Sequence, residues 1–316
     1  MGSRSLAVAG RQMPTPDDRV GMGPCYNPAM EPLPDNVLRL ARIISDCTLC
    51  PRRCRVDRTQ GRFGACRVGE SPVVASAGPH FGEEPVLVGS GGSGTIFFCG
   101  CNLDCVFCQN HDISHAVEGR MVSARQIANV AMNLEREGCV NINFVSPTHV
   151  SHAVAEAIVL ARRTGLKVPT VYNCGGYESV EALRLLSGLI EIYMPDFKYA
   201  SAEAGMKYSG IADYPQAAQA ALEEMYRQVG PLVQSHGLAT RGVLVRHLVM
   251  PGDIARSREV IDIVARTAPG SALNVMGQYH PAFRAGQFPE LMSHPSAAEI
   301  RELRRYAVNQ GLVRAD

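Results

Sequence analysis

Beyond about residue 70 the apolar positions alternate between two periods. Short runs rich in β-branched and aromatic residues stand at TIFF (95–98), NINFV (141–145), VPTVYN (168–173), LIEIYM (189–194), GVLVRHLV (242–249) and ALNVM (272–276). Each is followed by a stretch with apolar residues three or four apart: SARQIANVAMNLERE, VAEAIVLARR, ESVEALRLLS, YPQAAQAALEEMYRQV, ARSREVIDIVART and SAAEIRELRRYAV. Runs of the first kind predict strands and those of the second predict helices. Six strand-then-helix units predict an α/β fold of parallel strands joined by right-handed crossovers. The two shapes that meet this are an incomplete β/α barrel and an open doubly wound sheet. In both, the functional face lies at the C-terminal ends of the strands.

The first 70 residues are different. Residues 1–35 mix Pro, Gly, Asp and Met without periodicity and are expected to form an irregular extension. NVLRLARIISD (36–46) reads as a short amphipathic helix leading into CTLCPRRCRVDRTQGRFGAC (47–66), a segment too polar to carry its own core. Residues 36–70 are therefore expected to be a small cysteine-rich metal-binding segment, and 71–316 the main domain. SAGPHFGEEP (76–85) and GSGGSG (89–94) read as irregular, the latter as a loop that lets the backbone approach a metal cluster closely.

Composition narrows the function. The chain has 316 residues, 46% of them hydrophobic, enough for a large core. Its 31 basic and 30 acidic residues nearly cancel, which argues against general nucleic-acid binding. The basic residues are almost all arginine, as GC-rich coding would give. No window approaches the apolar length of a membrane span, the N-terminus lacks the apolar centre of a secretory signal, and Leu6 breaks a myristoylation pattern. With no export signal, eleven cysteines are expected to serve metal or catalytic chemistry in a reducing cytoplasm.

Seven of those cysteines fall into two groups. After TIFF comes CGCNLDCVFCQN, in which Cys101, Cys105 and Cys108 form C-x3-C-x2-C, with Cys99 just before. Three thiolates on one loop can ligate three irons of a [4Fe–4S] cluster and leave the fourth iron open. The alternative is a zinc ion with Cys99 as fourth ligand. Other polar motifs follow the other predicted strands: SPTH, NCGGY, PDFKY, RHLVMPGD and GQYHP. The topology brings all of them to one cavity.

C-x3-C-x-aromatic-C, with Phe107 as the aromatic, resembles the signature of the radical S-adenosylmethionine (SAM) superfamily. The resemblance implies a partial (β/α)6 barrel in which SAM chelates the open iron, and Phe107 would pack near the adenine. HFGEEPVLVGSGGSGTIFFCGCNLDCVFCQNHDIS is similar to the branch of pyruvate formate-lyase activating enzymes and their uncharacterised relatives. On that resemblance Asp196 and Lys198, Arg246 and His280 match positions that help hold SAM. Ser146 and Thr148 stand where the usual glycine-rich acidic motif for the SAM amino group is missing, and Asn110, Asn173 and Gln278 complete the expected contacts. Cys174 and Cys99 replace hydroxyl or other small residues. His149 and His152 read equally as loop hydrogen-bonders or as substrate contacts.

The second group, Cys47, Cys50, Cys54 and Cys66, has C-x2-C-x3-C-x11-C spacing in a segment whose folding must lean on a metal. Zinc and a second iron–sulfur cluster both fit. A cluster there would pass electrons, ligate substrate or donate sulfide. The surrounding arginines (Arg52, Arg53, Arg55, Arg58, Arg62 and Arg67) would ease its reduction and steer an acidic electron carrier such as a flavodoxin or ferredoxin, or an anionic substrate. The resemblance thus implies a glycyl-radical-enzyme activase. The alternatives are a small-molecule-modifying radical SAM enzyme, including one that inserts sulfur, and a non-enzymatic zinc or iron–sulfur redox protein.

Overall fold

The computed structural model describes residues 31–315. The irregular N-terminal extension therefore lies outside the described residues, apart from its last few positions. The chain then runs α1 (Asp35–Arg42), β1 (Val73–His80), α2 (Pro85–Val88), β2 (Ser93–Phe98), α3 (His111–Ser114), β3 (Arg120–Met121), α4 (Ala124–Arg136), β4 (Ile142–Val145), α5 (Ser151–Arg163), β5 (Thr170–Cys174), α6 (Val180–Leu185) and β6 (Ile192–Pro195). It continues α7 (Ala202–Ser209), α8 (Tyr214–Val229), β7 (Val233–Ser235), β8 (Leu238–Leu248), α9 (Ser257–Thr267), β9 (Ala272–Met276), α10 (Ala297–Asn309) and β10 (Val313–Arg314).

All six predicted strands form, as β2, β4, β5, β6, β8 and β9, and they lie side by side and parallel in that order. The sheet stays open, with β10 added parallel at one edge and β1 and β3 antiparallel at the other. This is the partial (β/α)6 barrel. Its crossover helices bury their predicted apolar stripes, and α4 and α10 begin in capping boxes, Ser123 with Gln126 and Ser296 with Glu299. Each N-cap side chain is worth about 1 kcal/mol to its helix.

Three expectations change. The first half of SAGPHFGEEP is not irregular, because Val73–His80 forms β1 and pairs with the whole of β2, whereas residues 81–84 stay irregular as expected. Its Gly and Pro are tolerated since β1 lies near the sheet edge, with only the two residues of β3 beyond it. AEAGMKYS, given no element by its weak pattern, forms α7. The GSGGSG run lies at the N-terminal start of β2, the opposite end from the cysteine loop. The close approach it permits is to the α4–β4 turn: a Cβ on Gly91 would stand 1.8 Å from the Gly138 carbonyl oxygen.

Strand register sorts the side chains. One face of the sheet looks into the barrel and carries Val171, Ile192, Met194, Leu244 and Ala272, which pack with Leu87 of α2. Burying Leu87 completely contributes roughly 2 kcal/mol. The short α2 thus plugs the lower barrel. On the outside, Val37 and Leu40 of α1 join the main core beside α5 and α6, and the Asn36 side chain donates to the Leu185 carbonyl at 2.7 Å. The cysteine-rich segment is tied to the barrel by this packing.

Candidate cluster and cofactor site

A cavity of about 730 Å³ opens at the C-terminal ends of the six parallel strands; β2, β4, β5, β8 and β9 contribute to its lining, and Asp196 does so immediately after β6. The cysteine loop forms one wall. Gly100, at φ +81°, turns the chain sharply after β2. The turn separates Cys99 from the triplet: its thiol faces the Glu118 carbonyl at 3.3 Å and does not line the cavity. Cys99 is thus not placed to share a metal with Cys101, Cys105 and Cys108, all three of which line the cavity.

Each triplet sulfur has a polar neighbour. The Leu103 N–H points at Cys101 (3.4 Å), the Ser209 hydroxyl lies 3.0 Å from Cys105, and the Ser114 hydroxyl lies 3.3 Å from Cys108. Burial, with Cys105 next in weight, pushes the Cys101 thiol up to about 12, and burial raises Cys105 as well. Such thiols ionise when a cation takes the proton's place, and N–H and O–H donors then tune the sulfur charge. Among the described residues no three metal-ligating side chains converge on one point. A cubane does not require that, since each thiolate binds its own iron. The donor set therefore fits a [4Fe–4S] cluster held by Cys101, Cys105 and Cys108.

The expected SAM contacts divide. Phe107, Asn110, Ser146, Asn173, Asp196, Lys198, Arg246 and Gln278 line the cavity. Phe107 is buried against Tyr199 and Tyr279. Ser146 holds a left-handed backbone (φ +56°) at the rim, a strain that recurs at functional positions. The Lys198 ammonium meets Asp196 at 2.6 Å. Burial works against its charge, but Asp196, Cys105 and Tyr214 together outweigh burial and raise it. Thr148 and His280 lie elsewhere. The Thr148 hydroxyl is buried and donates to Glu178 at 2.6 Å, whereas His280 is exposed and joined to Gln109 at 3.2 Å. His149 and His152 are hydrogen-bonders, facing the carbonyls of Cys99 (2.8 Å) and Glu70 (3.0 Å). Burial holds them neutral, lowered to about 3 and about 4.

Arg246 has partners the sequence did not disclose. Its Nε donates to Glu84 at 2.8 Å, and its Nη2 donates to Glu84 at 2.6 Å and also to Glu83. Asn274 donates to Glu84 at 2.8 Å, and His80 meets Glu83 at 3.1 Å. Burial pushes the Glu83 carboxyl up, but the His80 and Arg246 interactions outweigh it and hold it at about 2. These residues line the deep end of the cavity, just above the α2 plug. Two signals could have found them: an arginine and an asparagine inside apolar strands, and the paired glutamates of HFGEEP.

The second cysteine group lies directly against the loop. A Cβ on Gly100 would stand 2.5 Å from the Cys66 carbonyl oxygen. The Arg52 Nε donates to the Asn102 carbonyl at 2.5 Å, next to Cys101, and the Asn102 side chain donates to the Tyr177 carbonyl at 2.7 Å. Burial pushes Cys50 up to about 12, with Cys66 and Cys54 adding to the shift, and Cys47 and Cys54 likewise act on Cys66. The four thiols therefore share one neighbourhood. Arg58 is buried beside them, donating to the carbonyls of Gly69 (2.6 Å) and His149 (2.7 Å).

Comparison with known proteins agrees with this site. The profile of the Radical SAM superfamily matches residues 95–261. An uncharacterized protein of Methanocaldococcus jannaschii is 31% identical over 268 residues, covering 82% of this chain and 73% of its own. Among solved structures, Streptococcus suis SuiB bound to the precursor peptide SuiA is 11% identical, with a TM-score of 0.48 over 68% of this chain and 46% of that one. HydG, a maturase of the [FeFe]-hydrogenase, is 14% identical, with a TM-score of 0.46 over 67% and 47%. The chain spans about half the length of those two structures.

Proposed function

The chain belongs to the radical SAM superfamily of enzymes, and from that premise we propose that it binds SAM against a cluster on Cys101, Cys105 and Cys108 and abstracts hydrogen from a substrate held deeper in the same cavity. The observation that carries this is one cavity with three donor-supported thiols on its wall and the Asp196–Lys198 pair at the next strand ends. A [4Fe–4S] cluster held by Cys101, Cys105 and Cys108 would supply the single electron for reductive cleavage of SAM, and the cleaved cofactor would supply the acceptor for the substrate's hydrogen atom. The protein's part is to orient and to exclude water. Phe107 and Asn110 flank the cofactor, Ser146 and Asn173 offer it hydrogen bonds, and the Asp196–Lys198 pair meets its charged groups.

The four thiols of residues 47–66 are read as the site of a second cluster. The Arg52–Asn102 link leads from it to Cys101, and electrons would enter there from a flavodoxin- or ferredoxin-type donor in the cytoplasm. Zinc at this site remains the alternative.

Two substrate classes follow. A glycyl-radical-enzyme activase would draw hydrogen from a glycine of a large protein partner. The charged deep end of the cavity, closed below by α2, instead favours a small molecule. Isotope transfer separates them. A deuterated small substrate should deliver its label to 5′-deoxyadenosine with no partner present. An EPR doublet on a protein partner would support the activase, and loss of sulfide from the N-terminal site at each turnover would mark sulfur insertion.

A further inference from the structure

Of the arginines around the N-terminal cysteines, the fold treats one differently. Arg53, Arg55, Arg62 and Arg67 are exposed and Arg52 is half-buried, so water and salt screen their charge. Arg58 is 1% exposed. Its Nε and Nη2 donate to the Gly69 carbonyl at 3.0 and 2.6 Å, and its Nη1 donates to the His149 carbonyl at 2.7 Å and lies 3.8 Å from Cys47 Sγ. Each of these partners is a neutral carbonyl or a thiol, and among the described residues no carboxylate forms an ion pair with Arg58. The acid beside it in sequence, Asp57, gives its carboxylate to the Thr59 N–H and hydroxyl at 3.0 and 2.6 Å. Nor do the neighbouring imidazoles carry charge, because burial first and Arg58 second hold His149 and His152 neutral.

A guanidinium does not shed its proton inside a protein. Hydrogen bonds to carbonyls satisfy its N–H groups without cancelling its charge, and a buried charge without a counter-charge is strongly destabilising. The acids left within its reach are the thiols. Arg58 lies against Cys47, and burial raises the Cys66 thiol with Arg58 as the strongest influence against it. Protonated thiols offer no charge. Four thiolates on a zinc ion or on a [4Fe–4S] core leave a dianion.

We propose that Arg58 is the buried counter-charge of a metal–thiolate centre on Cys47, Cys50, Cys54 and Cys66, so that the guanidinium and the centre are each destabilised when the other is absent. The proposal rests on reading those thiols as a metal site and adds the residue that balances its charge. It holds for either metal and does not depend on SAM chemistry. On an iron–sulfur core the same cation would also favour the reduced state, as an entry point for electrons requires.

The test compares wild type with Arg58→Met, which keeps the bulk and drops the charge, and with Arg58→Lys, which keeps the charge and drops the fork of hydrogen bonds. The N-terminal metal is counted as the zinc or iron that anaerobic wild type holds beyond Cys50→Ser. Its half-time of loss to EDTA should shorten about tenfold or more in Arg58→Met and stay within about threefold of wild type in Arg58→Lys. Melting temperatures supply the sign. Metal-loaded Arg58→Met should melt below loaded wild type, whereas metal-stripped Arg58→Met should melt at or above stripped wild type, because an unpaired buried charge has been removed. A side chain that mattered only for its carbonyl bonds would lower both melts and make lysine as harmful as methionine. Wild-type metal loss in Arg58→Met, equal loss in Arg58→Lys and Arg58→Met, or lower melting of Arg58→Met in both the loaded and the stripped state would each overturn the proposal. Equal metal in wild type and Cys50→Ser is a distinct result, which overturns it by removing the metal site beneath it.

Discussion

Replacing Gly100 by alanine perturbs the point where the two cysteine segments meet. Gly100 has φ +81°, and an added Cβ would stand 2.5 Å from the Cys66 carbonyl oxygen, 2.7 Å from Val68 Cγ2 and 3.3 Å from His149 Nε2. Two costs add. The left-handed backbone costs an alanine roughly 1–2 kcal/mol, and forcing a methyl group into a filled space costs about 1–3 kcal/mol. Their sum, about 2–5 kcal/mol, corresponds to a fall in melting temperature of roughly 3–8 °C for a chain of this size. Gly210→Ala is the control, because Gly210 has φ +67° with nothing within 4 Å of an added Cβ, so only the backbone cost applies. Because a carbonyl of the N-terminal segment has to move, Gly100→Ala should also lose metal from Cys47, Cys50, Cys54 and Cys66 before it loses the loop cluster. Calorimetry and metal analysis of anaerobic protein read both effects. Equal melting shifts in the two variants, or wild-type metal content in Gly100→Ala, would refute the packing argument.

Three further outcomes are expected. Lys198→Met leaves Asp196 without its 2.6 Å partner at the cavity, and SAM affinity measured by calorimetry on unreduced protein should fall about ten- to a hundredfold; an unchanged affinity would remove the pair from the SAM site. Burial pushes the Glu178 carboxyl from 4.5 up to about 7 against the opposing hydrogen bonds of Thr148, Tyr172 and Cys174. The folded chain thus holds this proton more tightly than the unfolded one, a contribution fully present below pH 4.5 and lost as pH rises through 7. Glu178→Gln should therefore gain stability over wild type between pH 5 and pH 8, by about 3 kcal/mol at most, and a constant difference across that range would be wrong for this account. Cys50→Ser should lower bound iron from about eight per chain to about four, whereas wild type with about four irons and one zinc would assign the N-terminal site to zinc.

The barrel was legible because its strands and helices carry opposite periods: TIFF and ALNVM cannot form an amphipathic helix, and SARQIANVAMNLERE cannot alternate. β1 was not, since Gly78 and Pro79 imitate a loop and only pairing with β2 makes the segment a strand. The cysteine triplet and the Asp196–Lys198 pair were readable because their chemistry is local in sequence. The deep end of the cavity was hidden for the opposite reason. Glu84 reaches Arg246 across 162 positions and Asn274 across 190. The neighbours of Cys105 were hidden in the same way, because Ser209 belongs to a helix too weakly patterned to be foreseen.

The account stands most directly on the products formed when anaerobic protein with its loop cluster reconstituted is given SAM and a strong reductant. Wild type should release 5′-deoxyadenosine and methionine in equal amounts, and Cys105→Ala should release neither. Nucleoside formation that survives Cys105→Ala, or none from wild type carrying a full complement of iron, would contradict it.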